Sequence, residues 1–97
     1  MLEEIKTAFA AGDYLITGSV RKVLARNSWD ESDVKACVSA LTKADFYKSK
    51  PATNRPGEWV DVYKPVYGEI PMYLKYTIDE DGRTIVMLSF YEDSQIH

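Results

Sequence analysis

Hydrophobic positions recur with two different periods along this chain, and the change falls near residue 46. Leu2, Ile5, Ala8 and Phe9 follow the spacing of one helix face, and Gly12 is a natural stop. After "DYLITGS", a second short helix is predicted. Val20, Val23 and Leu24 share its apolar face, and Arg21, Lys22 and Arg26 point away. "SWDE" has the form of a capping box, with Ser28 accepting from the amide three residues on and Glu31 reaching back. The helix that follows sets Val34, Cys37, Val38 and Leu41 on one face, the clearest amphipathic pattern in the chain.

From Phe46 the period is two. "FYKSK" predicts a short strand ended by Pro51, and "ATNRPG" a polar loop. "EWVDVYKPV" alternates Trp59, Asp61 and Tyr63 with Val60, Val62 and Lys64, which assigns the first three to packing and register. "MYLKYTI" puts Met72, Leu74, Tyr76 and Ile78 on one face and Tyr73, Lys75 and Thr77 on the other. "DEDGR" predicts a hairpin turn. "TIVMLSFY" is apolar on both faces, as a central strand is. Helices first, then four strands joined by short turns, predict one α+β domain over residues 1–97. Its N-terminal helices should pack on one face of a mostly antiparallel four-stranded sheet.

Composition narrows the class. At 97 residues and 45% hydrophobic, the chain suits one modest core. No apolar run approaches the roughly 20 residues of a membrane span. The start "MLEEIKTAFAAGDY" lacks the basic and apolar blocks of a signal peptide, so a cytoplasmic protein with no membrane partner is expected. The single cysteine, Cys37, leaves no internal disulfide and no cysteine-based zinc site. Its place on an apolar helix face marks it as a buried structural thiol.

Charge alters this picture locally. The net charge is −3, which weighs against nucleic acid globally. The middle of the chain differs. Residues 43–76 carry Lys43, Lys48, Lys50, Arg55, Lys64 and Lys75 against Asp45, Glu58, Asp61 and Glu69. Residues 77–97 carry Arg83 alone against five acids. The middle third thus offers candidate contacts for a phosphate backbone, Lys50, Arg55, Lys64 and Lys75, although charge alone favours the plainer reading of a solvated surface with mixed charges.

The common catalytic sets are missing. The one histidine is the terminal His97, which leaves no Ser-His-Asp or Cys-His arrangement and no histidine-rich metal site. No phosphate loop or dinucleotide glycine pattern occurs. Asp79, Glu80 and Asp81 fall in a tight turn, as solvated turn residues rather than metal ligands. What remains is lysine and tyrosine: Tyr73 and Lys75 on one strand face, Lys48 on a neighbouring strand and Tyr91 at the end of the last. Lysine stabilises the charge of a phosphorane, and tyrosine moves a proton or stacks on a base. RNA brings its own nucleophile, the 2′-hydroxyl, so this chemistry needs no cofactor and no metal. The wet face of an ordinary half-exposed sheet shows the same alternation, and the residues alone leave both readings open.

"DFYKS", "WVDVYKP", "YLK" and "VMLSF", in that order and spacing, resemble the landmarks of the MqsR (motility quorum-sensing regulator) family of type II toxin–antitoxin toxins. The similarity is close from about Tyr14 to the Tyr73–Lys75 segment. The resemblance implies a RelE-like toxin fold, metal-independent endoribonuclease cleavage of mRNA, and a cognate antitoxin partner. The family attributes catalysis to the lysine of "FYKS", a glutamine after the tryptophan of the second strand, the tyrosine of "YLK" and a lysine after the C-terminal "SF". Here those positions hold Lys48, Val60, Tyr73 and Tyr91. The resemblance thus marks Lys48 and Tyr73 as catalytic, with Tyr91 standing in for the missing lysine. A catalytically weakened module of the same fold, binding RNA, a ribosome or an antitoxin, is the competing expectation.

Overall fold

The computed structural model describes residues 2–52, 58–78 and 84–93. In chain order the elements are α1 (Leu2–Ala11), β1 (Tyr14–Ile16), α2 (Gly18–Asn27), α3 (Glu31–Ser39), a 3-10 turn (Lys43–Asp45), β2 (Phe46–Pro51), β3 (Trp59–Tyr63), β4 (Val66–Tyr67), β5 (Ile70–Ile78) and β6 (Ile85–Glu92). Arg55, the acidic turn at Asp79, Glu80 and Asp81, and His97 lie outside the described residues. The α+β class and the N-terminal helices are as the periodicity predicts.

The helix ends show where local chemistry decided the boundaries. Gly12 takes φ 83°, a left-handed conformation that suits glycine, and the Asp13 amide turns back to the Ala8 carbonyl at 2.8 Å. Thr17 caps α2 by accepting from the Val20 amide. The capping box expected at Ser28 and Glu31 lies two residues further on. Asp30 is the N-cap, accepting from the Ser32 amide at 2.8 Å, and Asp33 reaches back to the Asp30 amide at 2.9 Å. Ser28 is committed elsewhere. At φ 58° it ends α2, where its amide and that of Trp29 close on the Ala25 and Leu24 carbonyls.

Among the described residues the sheet has six strands rather than four, in the order β1-β6-β5-β3-β2, with β4 paired to β5. β1 runs parallel to β6, pairing Tyr14 with Ile85, Leu15 with Val86 and Ile16 with Met87. The other pairs are antiparallel. β1 and β4 are too short for a period-two pattern to reveal them. β4 and β5 are joined by a two-residue turn, Gly68-Glu69, with φ 55° and 73°, the positive pair that a tight hairpin needs.

The helices cover one face. Ile5, Phe9, Val20, Leu24, Val34, Cys37 and Val38 pack with Tyr63, Met72, Leu74, Tyr76, Ile85, Met87 and Phe90 from the sheet in one buried cluster. Met87 and Phe90 are three residues apart, yet both face the helices. A bulge explains this: Lys75 pairs with Ser89 and Tyr76 with Met87, leaving Leu88 as the extra residue. On the same face Asp61 is buried and satisfied, because the Ser49 hydroxyl donates to Oδ1 and the Tyr76 hydroxyl to Oδ2 at 3.5 Å. Burial first, then the hydrogen bond to Tyr63, pushes the Tyr76 pKa up. Cys37 is buried as expected, and burial pushes its thiol up to about 12, with the charge of Asp45 adding to it. Trp59 departs from its expected packing role. It is 58% exposed at the start of β3, opposite Pro51 and beyond the core cluster. No helix among the described residues is long and apolar enough to cross a membrane.

Candidate functional site

The sheet face away from the helices is organised in rows. Cross-strand partners carry their side chains to the same side, so register reads the site directly. The central row is Lys48, Val62, Lys75 and Ser89, on β2, β3, β5 and β6. One step along, Tyr73 pairs with Tyr91. In the other direction Lys50 pairs with Val60, and Thr77 with Val86. Lys48, Lys75, Tyr73 and Tyr91, selected from the sequence, thus share one face of four adjacent strands.

Val62 lies between Lys48 and Lys75 and is fully buried, although it faces away from the helices. Its neighbours in the row are the two lysines, whose aliphatic stems are apolar enough to flank a valine. With strands about 4.8 Å apart, the two lysine backbones are roughly 10 Å apart, a span that lets both heads reach one phosphate. Burial lowers the pKa of Lys75, and the charge of Lys50 lowers it further. Repulsion of this kind is relieved when an anion binds between the two.

Tyr73 and Tyr91 stack with ring centroids 5.0 Å apart and an interplanar angle of 11°. Tyr91 is held as a phenol. Burial raises its pKa first, and the neighbouring Tyr73 and Asp93 raise it further. Beside the lysine row, a cleft of about 400 Å³ is lined by Thr17, Ser19, Lys50, Val60, Lys75 and Thr77, among others. Val60, at the position where the family carries glutamine, is 5% exposed in its floor. Lys64 sits at the opposite margin, its Nζ 3.7 Å from the Asp93 carboxylate.

The sequence reading placed Thr77 on this face by parity but passed over two other parts of it. The Thr17/Ser19 corner of α2 lines the cleft, and only the tertiary fold brings it there. Tyr47 was hidden by a bulge in β2, where Phe46 pairs with Tyr63 and Lys48 with Val62. The extra residue puts Tyr47 beside Lys48, with the Lys64 Nζ 4.0 Å from its ring centroid and the Lys48 Nζ at 5.3 Å. Strict alternation would set Tyr47 and Lys48 on opposite faces. Among the described residues no group of three or more His, Cys, Asp or Glu side chains is placed to hold a metal ion.

These features define a small α+β protein with a basic, tyrosine-bearing open sheet face. A family model described as "Motility quorum-sensing regulator, toxin of MqsA" matches residues 1–92 of the 97. The chain belongs to this family of toxins of toxin–antitoxin systems, which implies an antitoxin partner. No curated protein matches it.

Proposed function

We propose that this toxin is a metal-independent endoribonuclease that cuts single-stranded mRNA on its open sheet face. The observation that carries the reading is the register of Lys48, Val62 and Lys75, which sets two lysines astride one buried valine with Tyr73 one step away. In this reaction the 2′-oxygen of the RNA forms a bond to the adjacent phosphorus, and the bond to the 5′-oxygen breaks. The 2′-hydroxyl loses its proton and the leaving 5′-oxygen gains one. The products are a 2′,3′-cyclic phosphate and a 5′-hydroxyl. Lys48 stabilises the negative charge of the phosphorane, and Lys75 holds the same phosphate from the other side. Tyr73 serves in proton transfer at the reacting oxygens. Tyr91 supports the Tyr73 ring by stacking. Lys50, Lys64 and Arg55 contact the strand on either side through its phosphates.

Two observations favour a second reading. Val60 is an apolar floor residue where the resembled sites have an amide, and Tyr91 carries no positive charge. On that reading the face binds RNA, a ribosome or the antitoxin without cutting. Incubation of the purified protein with mixed-sequence RNA and a chelator separates the two. Fragments ending in cyclic phosphate, lost in Lys48→Ala and Tyr73→Phe, support the nuclease. Retention of intact RNA supports the binder.

A further inference from the structure

We propose that Tyr47, with Lys48 and Lys64, forms a nucleotide subsite in which an unpaired base of the RNA strand stacks on the Tyr47 ring, next to the phosphate held by Lys48. This rests on the ribonuclease reading of the open face. Three observations converge on it. Tyr47 is 52% exposed on an edge strand, where a large aromatic gains little from the core. The β2 bulge, an irregularity that re-aims a side chain, brings the ring beside Lys48. Two ammonium groups then approach the ring, that of Lys64 at 4.0 Å and that of Lys48 at 5.3 Å.

The charge balance favours a nucleotide over a simple anion. Lys48 and Lys64 supply two positive charges, and Asp93 takes back one through its 3.7 Å contact with Lys64. A site with one net positive charge around a flat, uncharged ring suits a single phosphate with its base. Base stacking on an aromatic is stronger than a cation–π contact at an exposed site. An arriving base therefore displaces the Lys64 ammonium from the ring, and the ammonium moves to the neighbouring phosphate. Lys48 belongs to both sites, which places this base beside the scissile phosphodiester.

The test is equilibrium binding of the full chain to a mixed-sequence single-stranded RNA 2′-O-methylated at every position, which blocks cleavage. Fluorescence anisotropy across a salt series gives Kd and its salt slope. Tyr47→Ala should weaken binding about 5- to 150-fold, the range for losing one stacked base, with an unchanged salt slope. Tyr47→Trp should bind within about twofold of wild type. Lys64→Ala should reduce the slope by about 0.7, one single-strand phosphate contact. Circular dichroism verifies that each variant is folded. If folded Tyr47→Ala binds as wild type does, the subsite is wrong while the nuclease reading stands. If wild type neither binds this RNA nor cleaves its unmethylated counterpart, both fall together.

Discussion

Tyr73 and Tyr91 face each other across β5 and β6 with rings 5.0 Å and 11° from face to face. The pairing sets the two tyrosines differently with respect to the lysine row. Tyr73 lies one step from the Lys48–Val62–Lys75 row, next to Lys75 on β5, and Tyr91 lies one strand further out on β6.

If Tyr73 moves a proton and Tyr91 only holds the ring, their hydroxyls differ in worth. Tyr73→Phe should lower the single-turnover cleavage rate by about 10²–10⁴, the usual contribution of a positioned acid–base group. Tyr91→Phe keeps the stacked ring and should stay within about threefold of wild type. Tyr91→Ala removes the support and should fall between the two, mainly in rate rather than in RNA affinity. Equal losses in the two Phe variants would assign the proton transfer to the pair.

Val60 offers the reverse experiment. Its side chain forms part of the floor of the cleft beside Lys50, Lys75 and Thr77. Val60→Gln puts an amide among these groups, and the cleft has room for it. The expected outcome is a faster cut, on the order of tenfold, from one more donor toward the reacting phosphate. Stability should drop by about 1–2 kcal/mol, because a polar group replaces a buried apolar one. A folded variant that cuts no faster would show that the floor does not take part in the reaction.

Alkaline pH should destabilise the fold through groups far from this face. The Cys37 thiol ordinarily titrates near 9.0 and is pushed up to about 12 by burial, and Tyr76 is also pushed above its usual 10.0. Above about pH 9 the unfolded chain releases protons that the folded chain keeps, so stability falls as pH rises. Each such proton adds up to ~1.4 kcal/mol per pH unit to the decline. Lys75 acts in the opposite sense below 10.5, because the folded state disfavours its proton. Urea midpoints should therefore hold steady from pH 7 to about 9 and then decline. Cys37→Ala should decline less steeply between 9 and 10, whatever its stability at pH 7. A flat profile to pH 11 would contradict the burial of both groups.

Much of this architecture was legible because burial imposes period on sequence. The face shared by Val34, Cys37, Val38 and Leu41 needed no further information. Tyr73 and Lys75 were separable from Met72, Leu74 and Tyr76 by parity alone. Parity failed where a residue was inserted. The bulges at Tyr47 in β2 and Leu88 in β6 each shift the alternation by one, and nothing in "FYKSK" or "VMLSF" announces them. Pairing across distance was also hidden. Tyr14–Ile16 joins the sheet only because β6 offers it a parallel edge more than sixty residues away. The cap at Asp30 was misplaced because Ser28 and Asp30 are both good cap residues, and only the left-handed turn at Ser28 decides between them.

The Gly68-Glu69 turn provides a test of the backbone alone. Both residues have positive φ, and for Glu69, at 73°, that conformation carries a steric cost that glycine and asparagine largely avoid. The turn holds Tyr67 opposite Ile70 and fixes where β5 begins, upstream of Met72 and Tyr73. Tyr67 in turn donates its hydroxyl to Asp33 at 2.8 Å, tying the hairpin to α3. Glu69→Asn should relax the turn and raise stability by about 0.5–1 kcal/mol, seen as a higher urea midpoint with an unchanged slope. Glu69→Val, β-branched at the same φ, should lower it by about 1 kcal/mol. The cleavage rates of both variants should stay near wild type, since the strain sits in the turn and the register at Tyr73 is preserved. An unchanged midpoint in Glu69→Asn would show that the left-handed residue carries no cost here.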